Sequence, residues 1–226
     1  MTEFTVTVRD LALFCHRQGD IDHRFMPSPT AMQGIEGHQR LYRRRPASYQ
    51  REFSVSYRAQ AAGLALHVRG RADGYDPALA LVEEIKTCRV DPARIPEPVT
   101  RLHLAQGRLY AAMISEQEDL PALTVQLTWL ELDRDREHSL QQDYSRAELV
   151  AFLRDSLHRY GSWLALMQAH RARRDLSLQD LAFPHRDFRP GQRELSERVY
   201  KCVHQAGRLL LEAPTGIGKT AAVLYP

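Results

Sequence analysis

The sequence predicts an α/β chain in two parts, and three observations lead to that class. Segments whose apolar residues alternate are interleaved with segments of helical period. A composition of 43% hydrophobic and 26% charged residues supplies a core of ordinary size and excludes disordered and collagen-like chains. At Pro184 the pattern starts again, with a turn, a helix, an apolar strand and a glycine-bearing loop that opens a further helix. A length of 226 residues suits one full domain and part of another. The expected division is a first domain over residues 1–175, a linker over 176–183 and a second unit over 184–226.

Phe4–Val8 alternates as a strand, and Asp10 is placed to cap a helix that carries Leu11, Leu13 and Phe14 to a Gln18-Gly19-Asp20 stop. Met26–Thr30, with Pro27 and Pro29, reads as loop, and a second helix runs from Ala31 through Gly34, His38, Leu41 and Tyr42 to the Arg43-Arg44-Arg45 run. That run is expected to be a solvated helix end rather than a phosphate contact. Three strand-like stretches follow, Glu52–Tyr57, Leu64–Arg69 and Ala80–Lys86, separated by Gly63 and by Gly74-Tyr75-Asp76-Pro77, and they suggest an antiparallel meander. After a proline-broken loop at Asp91–Pro98 come a helix over Arg101–Ser115, a strand over Leu123–Leu132 and a further strand over Glu137–Tyr144. Ser145 and Glu148 form a capping box that opens a long helix to about Arg174. Asp175–Phe183 is then a connector. Beyond it lie the Phe188–Gln192 turn, a helix to about Gln205, the strand Arg208–Leu211 and a helix entered at Lys219.

Lys and Arg number 31 against 28 Asp and Glu, a net charge of +3 that admits a polyanionic partner without demanding one. Only Lys86, Lys201 and Lys219 are lysines; the other 28 basic residues are arginine. A lysine kept in such a background marks places where a compact ammonium serves and a planar guanidinium would not. Three cysteines, Cys15, Cys88 and Cys202, are too few for a disulfide framework or a four-thiolate site, so a reducing, cytoplasmic setting is expected and no iron–sulfur cluster is encoded. No apolar run approaches the ~20 residues of a membrane span, and no membrane partner is expected.

Asp73 ends the Gly70-Arg-Ala-Asp73 segment and Glu84 ends the next strand, so the two carboxylates are expected to converge at neighbouring strand ends as a hard-oxygen site for a divalent cation. Glu84 and Lys86 are two apart on a strand and project to the same face. An ammonium beside a metal-bound water suits phosphodiester hydrolysis, although an isolated acidic-x-Lys pattern is usually a surface ion pair. The surroundings shift that balance. Gln106 and Tyr110 form an i,i+4 pair on the following helix, and His38 is a possible third ligand. Glu83 and Glu36 are expected to be solvated or structural.

In order, Gly34-x-x-x-His38, Gly70-x-x-Asp73, Glu84-x-Lys86-Thr87 and Gln106-x-x-x-Tyr110 resemble the PD-(D/E)XK nuclease superfamily, in its RecB-type branch. The resemblance implies a restriction-endonuclease-like core, a mixed sheet flanked by helices, with His38, Asp73, Glu84 and the Ile85 carbonyl as ligands of Mg²⁺ or Mn²⁺. It implies Lys86 as the catalytic lysine and Gln106 and Tyr110 as supporting site residues.

Ala213-Pro-Thr215-Gly216-Ile-Gly218-Lys219-Thr220 follows an apolar strand and opens a helix, the context of a Walker A loop, with Ala213 where the first glycine is usual. Lys219 then reaches the β/γ-phosphates of ATP, and the Thr220 hydroxyl holds its Mg²⁺. With Phe188-Arg-Pro-Gly-Gln192 upstream, this segment resembles the start of superfamily 2 helicases of the DinG/XPD group. That resemblance implies nucleotide contacts from Gln192 and Arg189. The chain runs six residues past Thr220, before any Walker B acid, so the expectation is the front of a P-loop RecA-like domain, the remaining helicase domains belonging to a longer nuclease–helicase fusion. The expected function is a metal-dependent DNA nuclease tethered to an ATP-dependent helicase. The alternatives are a catalytically quiet module that loads the helicase on DNA and a nuclease directed at RNA.

Overall fold

The computed structural model describes residues 3–19, 28–179 and 181–226. It divides into two compact units, Met1–Ala169 and His170–Pro226. The chain is of mixed α/β class.

The first unit is built on a six-stranded mixed sheet. Its strands are β1 (Glu3–Thr7), β2 (Gln50–Ala61), β3 (Leu64–Asp76), β4 (Leu81–Cys88), β5 (Ala122–Glu131) and β6 (Arg136–Ser145), and its helices are α1 (Val8–His16), α2 (Ala31–Tyr42), α3 (Glu97–Gln117) and the start of α4 (Arg146–Gln179). The sheet order is β1-β3-β4-β5-β6, with β2 also on β3. The expected meander is present: β2, β3 and β4 pair antiparallel. The parallel pairings of β1 with β3 and of β4 with β5, unread at the level of the residues, make the sheet mixed.

One edge of β3 changes neighbour along its length. β1 borders it as far as Thr7 opposite Arg69, and β4 joins it only from Glu83 opposite Gly74. Between those points no described strand pairs with β3 on that edge, and the candidate site opens there.

Buried leucines and valines decide which face each element turns inward. Leu66, Val68, Val125 and Leu127 of the sheet pack with Leu11 of α1, Leu109 and Met113 of α3, and Leu149 and Leu153 of α4. Truncating any of these to alanine is a change that costs about 2–5 kcal/mol. On the opposite face α2 covers β4 and β5 through a smaller cluster of Leu41, Ile85 and Leu130. The approach of α2 requires glycine, because a Cβ on Gly37 would stand 2.5 Å from Cγ2 of Thr87.

Several boundaries differ from expectation for physical reasons. Thr7, not Asp10, caps α1: its hydroxyl oxygen accepts the Asp10 N–H at 3.0 Å, so the helix begins directly where the strand ends. Thr30 caps α2 in a capping box with Gln33. α3 starts at Glu97 with Pro98 in its first turn, where a missing N–H costs nothing. The Ser145–Glu148 box is present, the Ser145 N–H donating to Glu148 at 2.8 Å. α4 continues to Gln179, through residues expected to be a connector, since no glycine or proline interrupts Arg174–Gln179. Met26 and Pro27 of the expected loop, and Asp20 of the expected stop, lie outside the described residues.

The second unit holds α5 (Gln192–His204) and α6 (Lys219–Leu224), joined by an extended stretch. Arg208–Leu211 is not a strand: no described strand pairs with it, and Leu210 is fully exposed. Among the described residues no helix is long and apolar enough to cross a membrane.

Candidate active site

Glu83 and Glu84 are consecutive on β4 and point to opposite faces of the sheet. Glu84 faces α3, its Cβ 3.7 Å from where a Cβ on Gly107 would stand, and it is buried. Lys86, two residues on, turns to the same side and donates to Glu84 Oε1. The other oxygen, Glu84 Oε2, is buried with no hydrogen-bond partner among the described residues. Burial pushes the Glu84 carboxyl up to about 7, Lys86 opposing and Asp73 adding to the rise.

Asp73 stands one residue beyond the last β3–β4 rung, and its side chain replaces the missing ladder: Oδ2 accepts the Ile85 N–H at 2.7 Å. Neither carboxylate is at a strand end as expected, since β3 continues to Asp76 and β4 runs on to Cys88. Asp73 is near enough to raise the Glu84 carboxyl, at the point where the two strands part. His38, on α2, places Nδ1 3.6 Å from Asp73 Oδ1. Burial raises the Asp73 carboxyl above its ordinary range against the pull of Lys86 and His38.

Tyr110 is buried on α3, one turn from Gln106; burial first, then the charges of Glu84 and Asp73, raise its phenol. Asp73, Glu84, Lys86, Gln106, Tyr110 and His38 are thus drawn to one region, and Ile85 meets Asp73 through its amide. Among the described residues no group of three or more His, Cys, Asp or Glu gathers closely enough to hold a metal ion. Asp73 and Glu84 are hard-oxygen donors all the same, and the orphaned Glu84 Oε2 is a buried acceptor of the kind a divalent cation satisfies.

Glu83, expected to be solvated or structural, is fully buried and structural. Arg45 holds it through two parallel bonds, Nε to Oε2 at 2.9 Å and Nη2 to Oε1 at 2.7 Å. Tyr49 donates to Oε2 at 2.7 Å, Gln126 to Oε1 at 2.8 Å, and Thr128 adds a further hydroxyl. Burial alone would raise this carboxyl; the donors outweigh it and hold it below its ordinary value. The arginine run is therefore not merely a solvated helix end, because Arg45 is turned inward. Tyr49 reaches Glu83 by lying flat over Gly74, where a Cβ would fall 1.7 Å from its hydroxyl. Glu36 is exposed, as expected of a solvated residue.

His103 on α3 escaped sequence reading altogether. Its Nδ1 is buried without a partner among the described residues, its ring packs edge-on against Trp129 at 5.4 Å, and burial, helped by Lys86 and Arg9, drops its pKa to about 3. The one available signal was its place three residues before Gln106 on the same helix.

In the second unit Gly216 and Gly218 have φ of 86° and 81°, left-handed values that glycine adopts without strain. Lys219 Nζ donates to the carbonyls of Ala213 at 3.0 Å and Pro214 at 2.8 Å, while Thr215 and Thr220 are exposed. Gln192 is buried; its amide donates to the Gly218 carbonyl at 3.0 Å and accepts the Arg189 N–H at 3.0 Å, and Arg189 also reaches the Gly216 carbonyl. Both residues thus brace the loop from within.

No protein-family model matches the chain, and no curated protein matches it. Among solved structures it is similar to one described as the crystal structure of SSO0001, at 19% identity over 69% of this chain and 76% of that one, with a TM-score of 0.46.

Proposed function

We propose that the first unit is a metal-dependent DNA nuclease with a PD-(D/E)XK-type, restriction-endonuclease-like core, acting in DNA processing. The observation that carries this reading is the buried Glu84 carboxylate, one oxygen taken by Lys86 and the other orphaned, beside Asp73. A fold tolerates a buried, half-satisfied carboxylate where chemistry requires it. Asp73, Glu84 and the Ile85 carbonyl, with His38 as a further donor, would hold Mg²⁺ or Mn²⁺, which supplies a water of lowered pKa and neutralises charge on a phosphate. Lys86 keeps a positive charge where negative charge grows at phosphorus and orients the attacking water. The Ile85 amide fixes the Asp73 carboxylate. Gln106 steadies Tyr110 against the β3 edge, where the phenol can donate to a phosphate oxygen.

For the second unit we propose a phosphate-binding loop that begins the ATP-dependent helicase part of the protein, with Thr215, Gly216, Gly218, Lys219 and Thr220 receiving ATP. Gln192 and Arg189 set the loop's shape. Binding of a nonhydrolysable ATP analogue that Lys219→Ala abolishes is the expected result.

The nuclease reading is tested by incubating single-stranded and duplex DNA with the chain and Mn²⁺ or Mg²⁺, alongside Asp73→Ala and Lys86→Ala. Cutting that both substitutions depress by about 100-fold or more sustains it. DNA bound but never cut would replace it with a quiet loading module, and preferential cutting of RNA would move the substrate class.

A further inference from the structure

We propose that the cleft at the gap in the sheet is a track for the sugar–phosphate backbone of a single polynucleotide strand, in which Arg71 and Arg69 receive successive phosphates. What happens at Asp73 rests on the nuclease reading; binding along the track does not.

The cleft follows from the gap in the sheet. Where β3 has left β1 and not yet met β4, an open volume of about 890 Å³ is lined by Thr7, Arg9, Ser54, Ser56, Arg69 and Arg71, with Tyr110 beneath. Three arginines stand there against one acid, Asp10, whose carboxylate already accepts the Thr7 hydroxyl at 2.7 Å. Arg71 also lies 3.5 Å from Glu52, but both side chains are more than half exposed and their pairing is weak in water.

Register turns this collection into a repeat. Ser54 lies opposite Arg71 and Ser56 opposite Arg69, so each guanidinium has a hydroxyl beside it on the neighbouring strand. Arg69 and Arg71 occupy alternate positions of β3, on the face turned away from buried Leu66, Val68 and Ala72, and are about 7 Å apart. That step is close to the separation of adjacent phosphates on an extended strand. A phosphate at the Arg71–Ser54 rung therefore puts the next at the Arg69–Ser56 rung, with Arg9 also on the lining. The guanidinium fork and the hydroxyl both suit phosphate oxygens. A single row of rungs fits one backbone, hence a single strand.

The test is fluorescence anisotropy of a labelled single-stranded oligodeoxynucleotide with the 226-residue chain in EDTA, over a salt series. Arg69→Glu and Arg71→Glu are each expected to weaken binding about ten-fold at low salt, and Arg69→Gln to lower the salt slope by about 0.7. Arg154→Glu, on the exposed side of α4, is the charge-matched control and should bind within about two-fold of wild type. Variants that bind like wild type, a control that weakens as much, or a wild type that does not bind would overturn the track. Tighter binding to duplex than to single strand would overturn its single-strand form. Loss of binding in the arginine variants of a chain that never cuts would leave the track standing and the nuclease reading fallen. Asp73-dependent cutting with binding indifferent to both arginines would do the reverse.

Discussion

Arg45 grips Glu83 bidentately across the inner edge of α2, and Glu83 is fully buried. The pair joins the end of the helix that bears His38 to the strand that bears Glu84 and Lys86. Arg45 also reaches Glu137 on β6 at 3.0 Å, so one guanidinium ties three elements together.

Arg45→Met leaves Glu83 buried without its cation and is expected to cost about 3–5 kcal/mol of the first unit's stability. Adding Glu83→Gln should return part of that loss, since the uncompensated charge is then gone. Urea unfolding of the two variants measures both numbers.

His103 ties stability to pH. Its ordinary value of 6.5 falls to about 3 in the folded chain, so between those values the unfolded chain binds a proton that the folded chain refuses. This contribution is fully present above pH 6.5 and is lost as pH falls toward 3, with a slope of up to about 1.4 kcal/mol per pH unit. Chemical denaturation between pH 7.5 and 4 should show the slope, and His103→Gln should flatten it.

Gly74→Ala drives a methyl into Tyr49 and should destabilise by at least about 1–3 kcal/mol. Tyr49→Phe keeps the ring but loses one bond to a buried carboxylate, a cost of about 1.5–3 kcal/mol. Because the two residues touch, the double variant is expected to lose less than the sum. A thermal-melting cycle over the four proteins decides this.

Glu84→Gln should stabilise the fold and, on the proposed nuclease reading, abolish DNA cutting. The carboxyl rises from 4.5 to about 7, so the folded chain holds its proton longer than the unfolded chain, and ionisation costs stability as pH climbs through that window. By pH 8 the whole cost is present, and a neutral amide avoids it; Lys86, partly exposed, remains hydrated. A melting temperature raised by a few degrees at pH 8, and unchanged near pH 4, is the expected result.

The parts of this molecule legible in sequence are those that depend on local spacing. Alternation placed Glu84 and Lys86 on one face, and the i,i+4 rule placed Gln106 with Tyr110. The capping box at Ser145 was readable from four residues. Where the partner is distant in sequence, the signal fails. Arg45 and Glu83 are 38 residues apart, and a basic run at a helix end looks the same whether one of its members turns inward or not. Tyr49 over Gly74 depends on a chain path that no periodicity records. The parallel placement of β1 on β3 is likewise invisible, yet it creates the gap in which Asp73 is found. Leu209–Leu211 shows the opposite failure: an apolar run with strand propensity is no strand without a neighbour to complete its ladder.

Because Glu83 and Glu84 are adjacent, a slip of β4 by a single residue against β5 would exchange their surroundings. Glu83 would be thrust toward α3 without a cation, and Glu84 would take its place before Arg45. The correct alignment sets Glu83 opposite Gln126 and Glu84 opposite Leu127. Arg45, Tyr49, Gln126 and Thr128 therefore reward one alignment of the central strand and penalise its nearest competitor, so Glu84 is delivered to the α3 side of the sheet.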